Sequence, residues 1–230
     1  MPDIQLSAAA EDYLKVIWTA QEWTSAPVTI SALSAHMGFS PSSVSEAVKR
    51  LTRQGLLQHA RYGSIALTEA GHRAAVAMVR RHRLIETFLV EYLGYGWDEV
   101  HDEAEQLEHA VSDKMVDALA ERLGHPLRDP HGDPIPGRDG SFPPLDARRL
   151  SRCEPGEQVQ VARVSDTDPQ LLRYLAGLGL NLDVGLEVLE RQAYAGTVTL
   201  LAAGKRLDLG LPAAEAIWVV PRAADPAAVD

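Results

Sequence analysis

The hydrophobic period changes once along the 230 residues, and that change asks for two kinds of architecture in one chain. As far as Gly124 the apolar residues recur at about 3.6-residue spacing, that of helices with one buried stripe. From about Cys153 they alternate in short runs, EQVQVARVS, GLEVLERQ, GTVTLLA and AIWVVP, the spacing of half-buried strands. The stretch between them, His125 to Pro144, is rich in Gly, Pro and Asp and reads as an ordered loop leading into a linker. The expected fold class is therefore mainly α with a small β part.

Within the helical part, EDYLKVIWTAQEW (11–23) places Tyr13, Leu14, Ile17 and Trp18 on one stripe of a first helix. A shorter helix is expected over Thr29–Met37, with Gly38 supplying a turn. A third follows in SPSSVSEAVKRLTRQG, with Ser40 as N-cap, Pro41 at the first position and Gly55 just past the end. Two short helices so close together, the second opening on serines and ending in basic residues, spell a helix-turn-helix. The next stretch, LLQHARYGSIALT, predicts a hairpin turning at Arg61–Ser64, the wing. Thr68 then caps a long helix over about 69–92. Its Val76, Val79, Ile85, Phe88 and Leu89 suffice to pack both inward and against a second subunit.

A GYGW turn at 94–97 and two helices within 98–121 complete the helical part. A small helix, DPQLLRYLAGLG, interrupts the strands. Five or so short strands with glycine turns predict a small barrel, with Trp218 in its core, and the Ala/Pro/Asp-rich residues after Pro221 read as a disordered tail. The expected domains are a winged helix-turn-helix over 1–75, a helical metal-binding and dimerisation domain over 76–144, and a C-terminal SH3-like small barrel over 153–222.

The net charge of -10 is ill-suited to nucleic acid until it is divided. Residues 1–83 hold 9 Lys/Arg against 6 Asp/Glu, while the remainder holds 13 against 26. That split fits a DNA reader joined to an acidic regulatory body, in which bound cations would offset repulsion from phosphate. No apolar run reaches the length of a membrane span, and the N-terminus is acidic where a secretion signal would be basic, so a cytoplasmic location is expected. Cys153 is the single cysteine, which excludes disulfide frameworks, zinc-finger clusters and iron–sulfur clusters held by one chain's thiolates. The sequence has neither a glycine-rich phosphate loop nor a nucleophile elbow, and an enzyme is not expected.

Imidazoles and carboxylates concentrate on two neighbouring helices. His82 and Glu86 are four apart on one; His101, Glu105, Glu108 and His109 share faces on the other. Gathering such groups is costly without a cation, and a divalent metal turns the repulsion into coordination. Nitrogen and oxygen donors without thiolate favour Mn(II), Fe(II), Co(II) or Zn(II). Solvated charge on a helix surface is the bland alternative, and a metal-dependent hydrolase is the rival from another class, although it leaves the winged helix without a purpose. A constitutive architectural DNA binder would not need the cluster.

The order of RRHRLIE (80–86), VHDEAEQLEHAVSD (100–113) and DPHGDPIPG (129–137) behind a winged helix resembles the diphtheria toxin repressor family of metal-dependent regulators. Within it the chain is similar to the actinobacterial manganese transport regulators. The resemblance covers nearly the whole chain, including an SH3-like domain of the ferrous-transport-protein-A type. It implies a homodimer with two metal sites per subunit, which binds palindromic double-stranded operator DNA and represses metal-uptake genes. The primary site it implies falls on Asp12, Glu105, Glu108 and His109. The iron-responsive branch has methionine and cysteine where this chain has Asp12 and Glu105, so the two hard carboxylates point to Mn(II). An iron-responsive or broad-spectrum regulator is the alternative, with Co(II) or Zn(II) as substitutes in vitro.

The implied ancillary site takes His82, Glu86 and His101. The SH3-like domain completes it, at positions that fall on Thr167 and Gln170, with Asp166 or Asp168 standing in for the missing carboxylate. Compact manganese regulators without the third domain carry a helix-one glutamate where this chain has Lys15, so their closely spaced metal pair is not expected here. For DNA, Ser42, Ser43 and Ser45 are candidates for groove or phosphate contacts and Pro41 for a base methyl. Lys49, Arg50, Arg53 and the wing residue Arg61 would carry backbone charge. Each of these has a plain helix-surface or capping reading beside it.

Overall fold

The computed structural model describes residues 6–23, 26–59 and 63–222. It divides into two units, one of residues up to 82 with 108–111 and 136–142, the other of residues 83–107, 112–135 and 143 onward. Of the tail read as disordered after Pro221, all but Arg222 lies outside the described residues, as does Arg61.

In the first unit α1 (Ala8–Glu22), α2 (Ile30–Met37) and α3 (Pro41–Arg53) are followed by the antiparallel strands β1 (Leu57–His59) and β2 (Ile65–Leu67). The local signals act as the sequence suggests. Ser40 is extended and its hydroxyl accepts from the Ser43 amide at 3.2 Å, with Pro41 in the first turn. Gly38 ends α2 in the left-handed region, φ 69°, which an L side chain adopts only with strain and which bends the chain into α3. Val44, Ala47, Val48 and Leu51 form the buried stripe of α3. They pack with Tyr13, Leu14, Ile17 and Trp18 of α1, Leu33 of α2 and Ile65 of the wing in one core. The opposite face of α3 is left to solvent. Trp18 also stacks on Phe142, ring centroids 5.1 Å apart. The Thr68 hydroxyl accepts from the Gly71 amide and so caps α4 (Glu69–Leu93), which continues past the first unit at His82.

The second unit holds the rest of α4, then α5 (Val100–Leu107) and α6 (Asp113–Arg122). After the loop His125–Ile135 come β3 (Arg148–Arg149), a 3-10 turn at Leu150–Arg152, β4 (Gln158–Val164), α7 (Pro169–Gly177), β5 (Gly185–Gln192), β6 (Thr197–Ala202), β7 (Lys205–Gly210), α8 (Leu211–Glu215) and β8 (Ile217–Pro221). The strands form one antiparallel sheet in the order β3-β8-β4-β5-β6-β7. Alternate residues Val159 and Val161, Leu186 and Val188, Val198 and Leu200, and Ile217 and Val219 point into its core with Leu172 and Leu175 of α7.

The expected barrel is not formed: the sheet stays open. β7 pairs with β6 and β3 with β8, and no ladder joins β7 to β3 among the described residues. Closure needs edge strands long enough, and suitably staggered, to meet. Here β3 is two residues long before the chain turns, and β7 leads straight into α8. The helix packs on both β7 and the 3-10 turn, with Arg149 donating to the Glu215 carbonyl at 2.7 Å. Among the described residues no helix is long and apolar enough to cross a membrane.

Candidate metal centre

In the first unit, α1 carries Glu11 and Asp12 in its opening turns, and the segment just after α5 carries Glu108 and His109. His109 Nε2 lies 2.8 Å from Asp12 Oδ1 and 3.6 Å from Glu108 Oε1, and its Nδ1 lies 2.8 Å from Glu11 Oε2. Asp12, Glu108 and His109 each offer a donor atom within 4.8 Å of the others. Glu108 has no exposed side-chain surface; its Oε1 accepts from Lys15 Nζ at 2.6 Å and its Oε2 lies 2.6 Å from His82 Nδ1. Burial alone would raise the Glu108 carboxyl, but His82 and Lys15 outweigh it and hold it below its ordinary value. Burial would lower the His109 imidazole, but Glu11, Asp12 and Glu108 raise it. A raised imidazole between carboxylates holds a proton that a divalent ion would displace.

A second cluster lies within the second unit, formed by Glu86 of α4, His131 of the loop before the sheet, and Asp166 between β4 and α7. His131 is wholly buried. Its Nε2 lies 2.6 Å from the Trp97 carbonyl, which can only accept, so Nε2 carries a proton and donates. Its Nδ1 makes no hydrogen bond and lies 3.9 Å from Glu86 Oε2. A buried imidazole nitrogen left without a hydrogen bond and facing carboxylates is the feature that fits this cluster to a divalent cation. His101 Nδ1 sits 3.2 Å from Glu86 Oε1 and 3.3 Å from Asp166 Oδ2. Burial opposes its charge, yet Asp166 and Glu86 push its pKa up to about 11, so an imidazolium balances the two carboxylates.

The loop is fixed from behind. Asp129 Oδ1 accepts from the amides of His131 and Asp133, at 2.8 and 2.9 Å. Burial, with Asp133 and Glu86 nearby, pushes the Asp129 carboxyl up to about 8. Asp133 accepts from Arg163 Nε at 2.6 Å and from Arg83 at 3.3 Å, all three buried. The Val164 amide donates to the His131 carbonyl at 2.8 Å. Between them Gly132, at φ 92°, lets the loop lie directly on β4.

Several expected ligands are thereby brought together within each unit. Asp12, Glu108 and His109 meet in the first unit, and in the second Glu105 lies 3.7 Å from His101 Nε2. His82 is in the first unit on Glu108, while Glu86, His101 and Asp166 are in the second. Asp166 faces the cluster; Asp168 instead caps α7 through the Gln170 amide, and Gln170 is exposed. The Thr167 hydroxyl lies 3.1 Å from that of Ser165. Sequence reasoning missed His131 and its support Asp129. The signal was present in DPHGDPIPG, a histidine flanked by aspartates two residues away on either side in a proline-rich loop.

On α3, Pro41, Ser42, Ser43, Lys49, Arg50 and Arg53 are exposed and Ser45 is half-buried. The Ser42 and Ser43 hydroxyls each lie 2.9 Å from that of Ser40, and Lys49 pairs with Glu46 at 2.8 Å.

Known proteins are similar to this chain. Residues 5–65 match the family model of the iron dependent repressor N-terminal DNA binding domain, residues 68–137 that of its metal binding and dimerisation domain, and residues 148–221 the FeoA domain. The iron-dependent repressor IdeR of Mycobacterium tuberculosis is 37% identical over 133 residues, 58% of this chain and 57% of that protein, so the match spans little more than half of that relative. The diphtheria toxin repressor of Corynebacterium jeikeium is 32% identical over 163 residues, 69% of this chain and 68% of the relative. A solved manganese-dependent transcriptional repressor in complex with manganese is 55% identical, with a TM-score of 0.89 over 93% of this chain and 100% of the other.

Proposed function

Since the chain belongs to the iron-dependent repressor family that includes the diphtheria toxin repressor, we propose that it is a metal-activated, sequence-specific DNA-binding transcriptional repressor, not an enzyme, and that its activating metal is Mn(II). The observation that carries this reading is Asp12: a member of a partly buried imidazole–carboxylate cluster, it stands on the helix whose other face packs against α3. Leu14 and Ile17 of α1 share one core with Val44 and Val48 of α3, so whatever fixes α1 fixes the recognition helix.

A bound divalent ion supplies charge that imidazoles and carboxylates otherwise obtain from protons. Asp12 then ties α1 to Glu108 and His109, and α3 presents Ser42, Ser43, Lys49, Arg50 and Arg53 in one orientation. Homodimerisation through the exposed apolar residues Tyr92, Leu93 and Met115 sets two such helices at a spacing suited to a palindrome. By linkage, operator DNA tightens metal binding by the same factor that metal tightens DNA binding. The preference for manganese rests on the donors, nitrogen and oxygen throughout, while the single thiol, Cys153, is buried in the sheet core. Likeness to the manganese-complexed repressor supports the same choice. Metal-uptake genes are the expected targets.

The test is capture of genomic fragments at fixed ionic strength, metal-free, with buffered Mn(II), and anaerobically with Fe(II), using wild type beside His109→Ala. Specific capture with Mn(II) that His109→Ala abolishes supports the reading. Equal capture without metal refutes it, and stronger capture with Fe(II) reassigns the metal.

A further inference from the structure

Two positive groups compete for one oxygen in the first unit. Glu108 Oε1 is the carboxylate oxygen nearer His109 Nε2, at 3.6 Å, and it is also the oxygen that accepts from Lys15 Nζ at 2.6 Å. The Lys15 side chain is 9% exposed and that of Glu108 0%, so water screens their pairing little. A buried ammonium normally needs a strong reason to be there, because its desolvation is costly. The reason here is the surplus of carboxylates, Glu11, Asp12 and Glu108, gathered on His109 and Lys15.

Resting on the metal reading above, we propose that Lys15 is a resident cation of this cluster that sets its metal threshold: a divalent ion taking Glu108 must share an oxygen already held by an ammonium. Lys15 then does two opposed things. It stabilises the metal-free arrangement by neutralising Glu108, and it repels the incoming ion across a single oxygen atom. The cluster binds less tightly than its ligands alone would allow, so it responds to metal in excess and not to traces.

A lysine with only a structural role and a lysine acting as resident cation predict opposite signs. Lys15→Met and Lys15→Arg are made in the full chain carrying His131→Ala, which disables the second unit's cluster, and Mn(II) affinity is read by chelator competition. Counting of bound Mn(II) by electron paramagnetic resonance runs alongside. The expected result is that Lys15→Met binds Mn(II) on the order of tenfold more tightly, while Lys15→Arg stays within about twofold of the parent because the charge is kept. The metal-free Lys15→Met protein should melt lower than the parent and gain more from Mn(II). Equal or weaker binding by a folded Lys15→Met protein overturns the proposal. If that variant does not fold, Lys15→Gln gives the same reading, since its amide can donate to Glu108 without charge. His109→Ala separates the two levels of inference: it should lose the remaining ion, and if it does not, the metal reading itself has failed.

Discussion

Replacing Gly132 by alanine tests whether the site in the second unit depends on the loop being seated on β4. A Cβ at that position would lie 2.1 Å from the Ala162 carbonyl oxygen and 2.8 Å from the Arg163 Cα. Both are backbone atoms in a paired strand, so the loop must retreat by roughly 1 Å to regain ordinary van der Waals separation. Holding alanine at φ 92° adds about 1–2 kcal/mol of backbone strain. Retreat also loosens the Val164-to-His131 hydrogen bond, about 1 kcal/mol, and stretches the buried Asp133–Arg163 pair. Together these amount to a loss of about 3 kcal/mol.

Cys153 reports this without an added probe. It is the chain's single thiol, fully buried in the sheet core, and burial pushes its pKa up to about 11, so alkylation at neutral pH waits for the unit to open. A loss of about 3 kcal/mol raises the open population, and hence the labelling rate of the metal-free protein, by about two orders of magnitude. Mn(II) binding at the Glu86–His131–Asp166 cluster should weaken at least tenfold in the same variant, while binding that depends on His109 is unchanged. A Gly132→Ala protein that labels at the wild-type rate and keeps both affinities would refute the argument.

Other consequences are simpler to state. Ser40→Ala removes the cap of α3 and should lower stability by about 1 kcal/mol, read as a lower thermal midpoint. Arg50→Ala should weaken binding to all DNA sequences alike and make the slope of log affinity against log salt shallower by about 1, with no change in preferred sequence. The Asp183 carboxyl is held below its usual range by Arg128, so the pair's stabilisation is present above the unfolded aspartate value near 3.9 and is lost as pH falls through the lower folded value. Both side chains are about half exposed, and Asp183→Asn should cost less than ~1 kcal/mol at pH 7 and flatten the acid limb of a urea-stability profile.

What the sequence showed most clearly is what short stretches of chain determine. Ser40, Pro41 and Gly38 lie within four residues, and the buried stripe of α3 follows at once, so the helix-turn-helix was legible. The imidazole and carboxylate residues were legible as a set from their spacing in the sequence. Reading one helical face from His101 to His109 assumes an unbroken helix, but α5 ends at Leu107. Glu108 and His109 follow that end, and Glu105 sits within α5 beside His101. His131 was invisible as a candidate ligand because no periodicity governs a loop; the loop carrying it is seated by Gly132 against a strand thirty positions on. The strands were read correctly as alternating, yet alternation tells which face is buried and nothing about whether β3 and β7 meet.

An open sheet has to be prevented from continuing into its neighbours. Along β7 one row of backbone donors and acceptors lacks a partner strand among the described residues, the arrangement that seeds ribbon-like aggregation when it is flat and apolar. Its sequence is KRLDLG, and Lys205, Arg206 and Asp208 are exposed on it, so a second copy arriving in antiparallel register would bring charges against charges as it shed their water. Hydrophobic replacements at Lys205 and Arg206 would remove that guard while leaving the folded unit almost untouched. Aggregation would then be decided on a strand that carries none of the residues proposed for metal or DNA.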